Sequence, residues 1–326
     1  FVTLQENNAI ATVDLVTGTV TDVKPLGFKN HGVIGLDASD RDQAVGSNNP
    51  AIKIKTVPGL FGMYQPDGIA AFSSAGQTYL ITANEGDARA YTGLNEEARV
   101  STLNLDATAF PNAATLKGNG PDSIGRLTVT NKLGDTDNDG DFDQLYVYGS
   151  RSFSIWKDDG TLVFDSGDSI EQMFKTGKLA YDGSLITFNA NHSGSNNFDD
   201  RSDNKGPEPE SVTLGVVDGV TYAFVGLERV GGVLMYDLTN PASPLLVDYL
   251  NSRDFDIAPT AGTLATVGDL GPEGLLFISA ANSPTGLPLL VASNEVSGTV
   301  AVYSIPEPAG LSFLAASAML VLRRRR

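Results

Sequence analysis

One segment of this chain recurs, and the recurrence limits what it can fold into more than any composition does. "PDGIAAFSSAGQTYLITANE" (Pro66 to Glu85) lies without gaps over "PESVTLGVVDGVTYAFVGLE" (Pro209 to Glu228). The two share the opening Pro and acid, Gly76 with Gly219, Thr78-Tyr79 with Thr221-Tyr222, and the closing Glu. A third copy, "PEGLLFISAANSPTGLPLLVASNE" (Pro272 to Glu295), carries four extra residues in its turn. Downstream, "ERVGGVLMY" from Glu228 lies over "EVSGTVAVY" from Glu295, and "ENNAIATVDL" from Glu6 is a looser fourth copy. "DQLYVYGSRSFSIWKDDGTLVF" (Asp143 to Phe164) supplies the three apolar runs of a fifth, with Arg151 in place of the acid. A repeat on this scale marks one supersecondary unit per copy.

Each unit reads strand, Gly turn, strand, Glu-marked turn, strand, with β-branched and aromatic residues in the runs. The 35 Gly and 16 Pro favour many turns over long helices, so the class is all-β. Blades of a β-propeller, at least five of them visible, explain why the same signals return in every hairpin, which a β-sandwich does not. Two insertions, residues 86 to 125 and 165 to 208, interrupt the pattern. Within them "NEEARVSTLNL" reads as a short helix, and "DSIEQMFKTGKL" as a helix with Asp168 and Glu171 in a capping box. "NANHSGSNNFDDRSDNKG" reads as a mobile polar loop whose His192, Asp199, Asp200, Arg201, Asp203 and Lys205 either contact a ligand or are simply solvated.

Because consecutive strands run antiparallel, the start of a unit's first strand and the end of its second share one edge of the sheet. Asp67 with Glu85, Glu210 with Glu228, and Glu273 with Glu295 are therefore expected at one rim, around the mouth of a central channel. Six carboxylates aimed at one mouth repel unless protonated, hydrated or bridged, and oxygen ligands alone favour calcium. The competing expectation is that each acid caps the turn amides of its own hairpin. A second acidic group, "DTDNDGDFD", sets Asp135, Asp137, Asp139, Asp141 and Asp143 at alternate positions with Gly140 at the bend, like the first half of an EF-hand loop. No bidentate Glu follows it, so the choice is between a calcium loop and a solvated acidic hairpin.

The formal net charge of −17 makes nucleic acid a poor partner and cations good ones. With no Cys and two His, thiolate sites, disulfides and multi-histidine centres within one chain are excluded.

Taken in order, "YQPDGIAAF", "YLITANEGDAR", "GDTDNDGDFD", "RSFSIW", "RSDNKGPEPE", "GLERVGG", "DLGPEGLLFI" and "SPTGLPLLVASNEVSGT" resemble the choice-of-anchor I domain across residues 1 to 305. The resemblance implies a secreted module with WD40/YVTN-like propeller blades, fixed to surfaces by alternative C-terminal signals. Its relatives are often labelled phosphatase-like, by distant similarity to calcium-dependent alkaline phosphatases of propeller fold. In residues 306 to 326, Pro306-Glu307-Pro308, an apolar run and four arginines resemble a PEP-CTERM sorting signal. That implies handling by an exosortase, transient membrane attachment through the tail, and a bacterial envelope, cell-surface or extracellular location. At the other end, Phe1 opens on a strand already under way, so a longer precursor with a signal peptide is expected.

Two functions remain open. One is a calcium-stabilised binding or adhesion module for extracellular matrix or polysaccharide. The other is a calcium-dependent phosphoesterase, with the mouth carboxylates holding metal and Arg89, Arg151 and Arg229 receiving phosphate. No Gly-x-Ser-x-Gly elbow or histidine triad supports the second.

Overall fold

The computed structural model describes residues 1–177 and 185–305; Pro306-Glu307-Pro308 and the tail after it lie outside the described residues. Short apolar runs broken by Gly form strands: β1 (Val2–Leu4), β2 (Ala9–Asp14), β3 (Thr19–Pro25), β4 (Phe28–Asn30), β5 (Leu60–Met63), β6 (Ile69–Ser74) and β7 (Gln77–Ala83). The first insertion adds β8 (Ala90–Tyr91), β9 (Leu94–Asn95), β10 (Glu97–Arg99), the single-turn α1 (Ala113–Leu116) and β11 (Thr128–Thr130). There follow β12 (Leu145–Val147), β13 (Phe153–Lys157), β14 (Leu162–Asp165) and α2 (Ser169–Lys175). The last third carries β15 (Pro209–Val217), β16 (Val220–Leu227), β17 (Val233–Asp237), β18 (Leu245–Leu250), β19 (Pro272–Ile278), β20 (Leu289–Asn294) and β21 (Thr299–Ser304).

The class is all-β. The larger sheets are ordered β1-β2-β3, β4-β5-β12, β6-β7-β13-β14, β15-β16-β17-β18 and β19-β20-β21, and β8-β9 and β10-β11 are two-stranded ribbons. Four of the larger sheets stand side by side. Thr3 Oγ1 donates to Asp67 O (2.9 Å), Gly68 N to Glu210 O (2.8 Å), and Ser211 Oγ to Pro272 O (3.1 Å), linking each sheet to the next near its first strand. Apolar side chains fill the gaps between them. Ile10, Leu80 and Trp156 lie in the first gap, Ile81, Phe153, Ala223, Leu234 and Tyr236 in the second, and Phe224, Met235, Leu290 and Ala292 in the third. A large side chain buried in this way contributes about 1.5–3 kcal/mol.

Three expectations are corrected. The segment from Asp143 to Phe164 is no unit of its own. Its β12 joins β5 in parallel, and its β13 pairs antiparallel with β7, Ile155 opposite Ile81. In the copy at Pro209 the third strand, β17, follows directly; at Pro66 the first insertion intervenes, and the exposed hydrogen-bonding edge of β7 takes up β13 afterwards. "NEEARVSTLNL" is not an α-helix but a short strand followed by a single 3-10 turn, Val100–Thr102: β10 pairs with β11, and Val100 enters a core with Leu127 and Val129. Helix α2 forms, but Asp168 makes no side-chain cap and Glu171 turns inward to a buried Arg151.

At Gly68 two sheets approach closely: a Cβ there would sit 2.6 Å from Glu210 O and 2.8 Å from Val212 N. Gly76, at the tip of the same hairpin, has φ +79° and open space around it. Gly76→Ala is expected to cost about 1–2 kcal/mol from the left-handed backbone alone. Gly68→Ala, which must push backbone against backbone, is expected to cost more, about 3 kcal/mol. Urea unfolding of the two variants measures the difference; equal midpoints would show that the sheets do not depend on this approach.

Candidate functional site

Hairpin geometry sets the acids of each unit at one edge. Asp67 precedes β6 and its N–H donates to Ala83 O (3.1 Å), two residues before Glu85. Pro209 pairs with Leu227 and Pro272 with Asn294, which places Glu210 beside Glu228 and Glu273 beside Glu295. Since the sheets abut near these strand starts, the pairs meet. Ligand oxygens of Asp67, Glu85 and Glu210 lie within 4.8 Å of one another. So do those of Glu85, Glu208 and Glu228, and likewise the ligand atoms of His192, Glu228 and Glu295. Glu273 completes the cluster, its charge acting on both Asp67 and Glu210.

Among the described residues, no turn amide donates to the side chain of any of these six acids, so hairpin capping is not what they do. Their partners come from the second insertion. Glu208 is fully buried at φ +53° and bonds Arg201 Nη2 (2.5 Å), Lys205 Nζ (2.8 Å) and Arg229 Nε (3.2 Å). Lys205 also bridges to Glu85, whose other oxygen accepts from Gln5 Nε2 (2.7 Å). Burial opposes the charge of Glu208, but the three cations outweigh it and hold its carboxyl at about 2. Burial, set against two of the same acids, leaves the Lys205 ammonium raised.

Three cations do not neutralise seven carboxylates. Burial raises Glu85 to about 7 despite Lys205; burial and then Glu208 raise Glu228 to about 7; burial followed by Glu228 raises Glu210 to about 10. Glu210 Oε2 and Glu228 Oε2 are buried without a hydrogen-bond partner. His192, which burial and then Arg229 lower to about 4, is neutral at pH 7. Its Nε2 lies 2.8 Å from both Glu228 Oε1 and Arg229 Nη1. One ring nitrogen cannot donate to the first and accept from the second, so either tautomer leaves one contact unmade. The arrangement is short of positive charge by chemistry a divalent cation would supply, chiefly through oxygen with one imidazole in reach.

The remaining candidates are scattered. Arg89 pairs with Glu96 (2.7 Å) on the wall of a separate cavity of about 370 Å³, also lined by Glu6, Gln65, Thr130 and Lys132. Arg151 is not an anion contact: it is buried, and its donors are taken by Glu171 Oε1 (2.8 Å) and by the carbonyls of Asp37, Ser202 and Asn204. The loop read as mobile is built in. His192, Asp199 and Asp203 are buried, and Asp203 binds Arg99 (2.9 Å) and Arg126 (2.8 Å).

In the acidic loop, Asp135 accepts from the amides of Asp139 (3.2 Å) and Gly140 (3.1 Å), and Asp143 from Thr136 N (2.7 Å). Asp141 N donates to Asp139 Oδ1 (3.1 Å). Ligand oxygens of Asp135, Asp137 and Asp143 lie within 4.8 Å of one another, as do those of Asp106, Asp141 and Asp143. Asp106, from the first insertion, reaches this loop because its N–H donates to Phe142 O (3.1 Å). The Thr136 bonds lower Asp143, whereas desolvation and then Asp139 raise Asp137 and Asp141.

The raised acids give the cation-free protein a defined pH dependence. Glu85, Glu210 and Glu228 favour the folded state fully below their unfolded value near 4.5, and this is lost as pH rises through about 7 and on toward 10. Glu208 acts in the opposite sense, its contribution being lost only as pH falls toward 2. In chelator, melting temperature is expected to fall from pH 5 to pH 8. Glu210→Gln is expected to recover on the order of 3 kcal/mol at pH 8. A wild-type melting temperature that is flat over this range would contradict the assignment.

The choice-of-anchor I domain matches residues 1–241. Gigasin-3a of Magallana gigas is 29% identical over 186 residues, covering 56% of this chain and 64% of that protein. A mesenchyme-specific cell surface glycoprotein of Strongylocentrotus purpuratus is 29% identical over 244 residues, covering 67% of this chain and 30% of that protein. The chain thus spans less than two thirds of either relative. With the match covering most of its length, the chain belongs to the choice-of-anchor I domain family.

Proposed function

We propose that this chain is an exported, surface-associated binding module, built as a β-propeller over residues 1–305 and stabilised by calcium, whose strand-end carboxylates form its binding centre. The convergence of Asp67, Glu85, Glu210, Glu228, Glu273 and Glu295 from three successive sheets carries the reading, because isolated hairpins have no need to direct acids to one place. Side-by-side sheets joined near their first strands support the propeller. The surface association draws on the family and on the name of the sea-urchin relative. Calcium is assigned to the Asp135–Asp143 loop as well as to the strand ends. Residues 306 to 326 serve in this reading as a PEP-CTERM signal, recognised by an exosortase at a bacterial envelope.

A chain of net charge −17 binds a polyanion only through a bridging cation, so the ligand class that best fits is an anionic matrix polysaccharide held through calcium. A calcium-dependent phosphoesterase is the second reading, favoured by Lys205 and Arg229 beside the acids. It ranks below because Glu85, Glu208 and Glu228 already occupy those cations.

Two measurements decide between them. Retention on an immobilised anionic polysaccharide is expected in calcium, to be lost in chelator, and to weaken at least tenfold in a Glu210→Gln, Glu228→Gln variant. No calcium-dependent retention would end the polysaccharide reading. Hydrolysis of p-nitrophenyl phosphate that requires calcium and disappears with Glu228→Gln would put the phosphoesterase in its place. Separately, Asp137→Asn with Asp139→Asn is expected to remove about one bound calcium per chain in equilibrium dialysis; unchanged stoichiometry would make the loop a solvated turn.

A further inference from the structure

A second group of acids lies apart from the strand ends and is closed to solvent. Asp37, Glu171 and Asp199 are 0%, 1% and 0% exposed. They come from the stretch after β4, where Leu36 bridges to Lys55, and from two parts of the second insertion, α2 near its start and the loop that carries Asp199. Arg151 is the guanidinium among them and pairs with Glu171 Oε1 (2.8 Å). Asp42, also buried, stands near and is offset by Lys53 and Lys55. Arg151 also donates to the backbone carbonyl of Asp37, and among the described residues no basic side chain pairs with the carboxylate of Asp37 or Asp199.

The oxygen inventory sharpens the imbalance. Asp37 Oδ2 accepts from Lys53 N (2.5 Å), and Asp199 Oδ1 from Ser202 Oγ. Asp199 Oδ2 has no partner among the described residues. The amide of Asn189, 0% exposed, donates through Nδ2 to Glu171 Oε1 (2.8 Å) and Ser202 Oγ (2.7 Å). Those acceptors fix which end of the amide is nitrogen, since a reversed amide would set oxygen against a carboxylate. Asn189 Oδ1 is then a second buried oxygen without a donor. An amide oxygen left bare inside the protein is unfavourable whatever the protonation of its neighbours, so carboxyl protons alone do not complete this group. Asn189 and Asp199 both also sit at positive φ, 41° and 66°.

We propose that Asp37, Asn189 and Asp199 hold a structural calcium ion that clamps the later part of the second insertion to the Leu36–Lys55 bridge. Carboxylate and amide oxygens with no nitrogen or sulfur donor form a hard set, and calcium tolerates such irregular oxygen cages where magnesium keeps its waters. The competing occupant is a proton. Without a cation, burial and then Glu171 raise Asp37 to about 8, and burial followed by Asp37 raises Asp199 to about 9. This site is independent of the strand-end cluster and of the Asp135–Asp143 loop, and it positions the segment that delivers Arg201 and Lys205 to Glu208.

The test uses the full chain. Asp199→Asn is expected to bind one calcium per chain fewer than wild type in equilibrium dialysis. It is also expected to lose most of the calcium-induced rise in melting temperature, while melting no lower than wild type in chelator, since a carboxyl that must take up a proton on folding has been replaced by a neutral amide. Unchanged stoichiometry in a folded Asp199→Asn protein overturns the proposal. If that variant fails to fold, terbium luminescence lifetimes of the wild type in H₂O and D₂O decide instead. A bound population that has exchanged about half or more of its waters for protein oxygens, and that persists in the Glu210→Gln, Glu228→Gln variant, supports the site; terbium that keeps most of its waters at every site, or is lost in that variant, overturns it.

Discussion

A carboxylate withdrawn from water must find positive charge or a proton, and this chain has too few basic residues to supply the charge. It carries 39 acids against 22 lysines and arginines. The basic side chains are therefore placed with economy, against buried acids. Lys205, Arg201 and Arg229 converge on Glu208, Arg151 on Glu171, and Arg99 with Arg126 on Asp203. Where they run out, oxygens without partners remain, at Glu210, Glu228 and Asp199. Ion pairs of this kind add little net stability, because desolvation consumes most of their attraction. Their role here is geometric: they fix where the uncompensated acids stand.

The insertions gain a purpose from the same constraint. The repeated hairpins bring acids together but offer few bases of their own. Basic residues arrive on the second insertion, with Arg201 and Lys205 on a segment held by buried polar contacts rather than by a sheet. The first insertion contributes Arg99, Arg126 and Asp106 in the same manner. The strands thus form a scaffold, and charge matching across long loops tunes it.

Local signals were enough to read most of the strands and the Gly turns and to point the strand-end acids toward one edge of each hairpin, because antiparallel pairing and sheet edges follow from patterns only a few residues apart. What depends on distant partners was not legible. Pairing of β13 with β7 across the first insertion has no local mark, so Asp143 to Phe164 reads as a separate repeat. Arg151 stands where the other copies carry an acid and reads as an anion contact, yet its burial is decided by Glu171 and by the carbonyls of Asp37, Ser202 and Asn204. Glu208 was visible only as one more acid in "GPEPE"; its positive φ and three cations belong to the folded chain. Asp37 and Asp199 carry no motif at all.

Completion of the β6-β7-β13-β14 sheet by a strand from beyond the first insertion has a consequence for biosynthesis. The β6–β7 hairpin emerges from the ribosome with one edge of β7 unsatisfied, and that edge waits until Phe153–Lys157 has been made. At ~5–20 residues per second the delay is on the order of several seconds, long compared with hairpin formation. During it, the nascent chain presents an open apolar template to its neighbours. Chaperone demand during synthesis should accordingly concentrate on this interval, with the last two sheets, whose strands follow one another directly, passing through almost unattended.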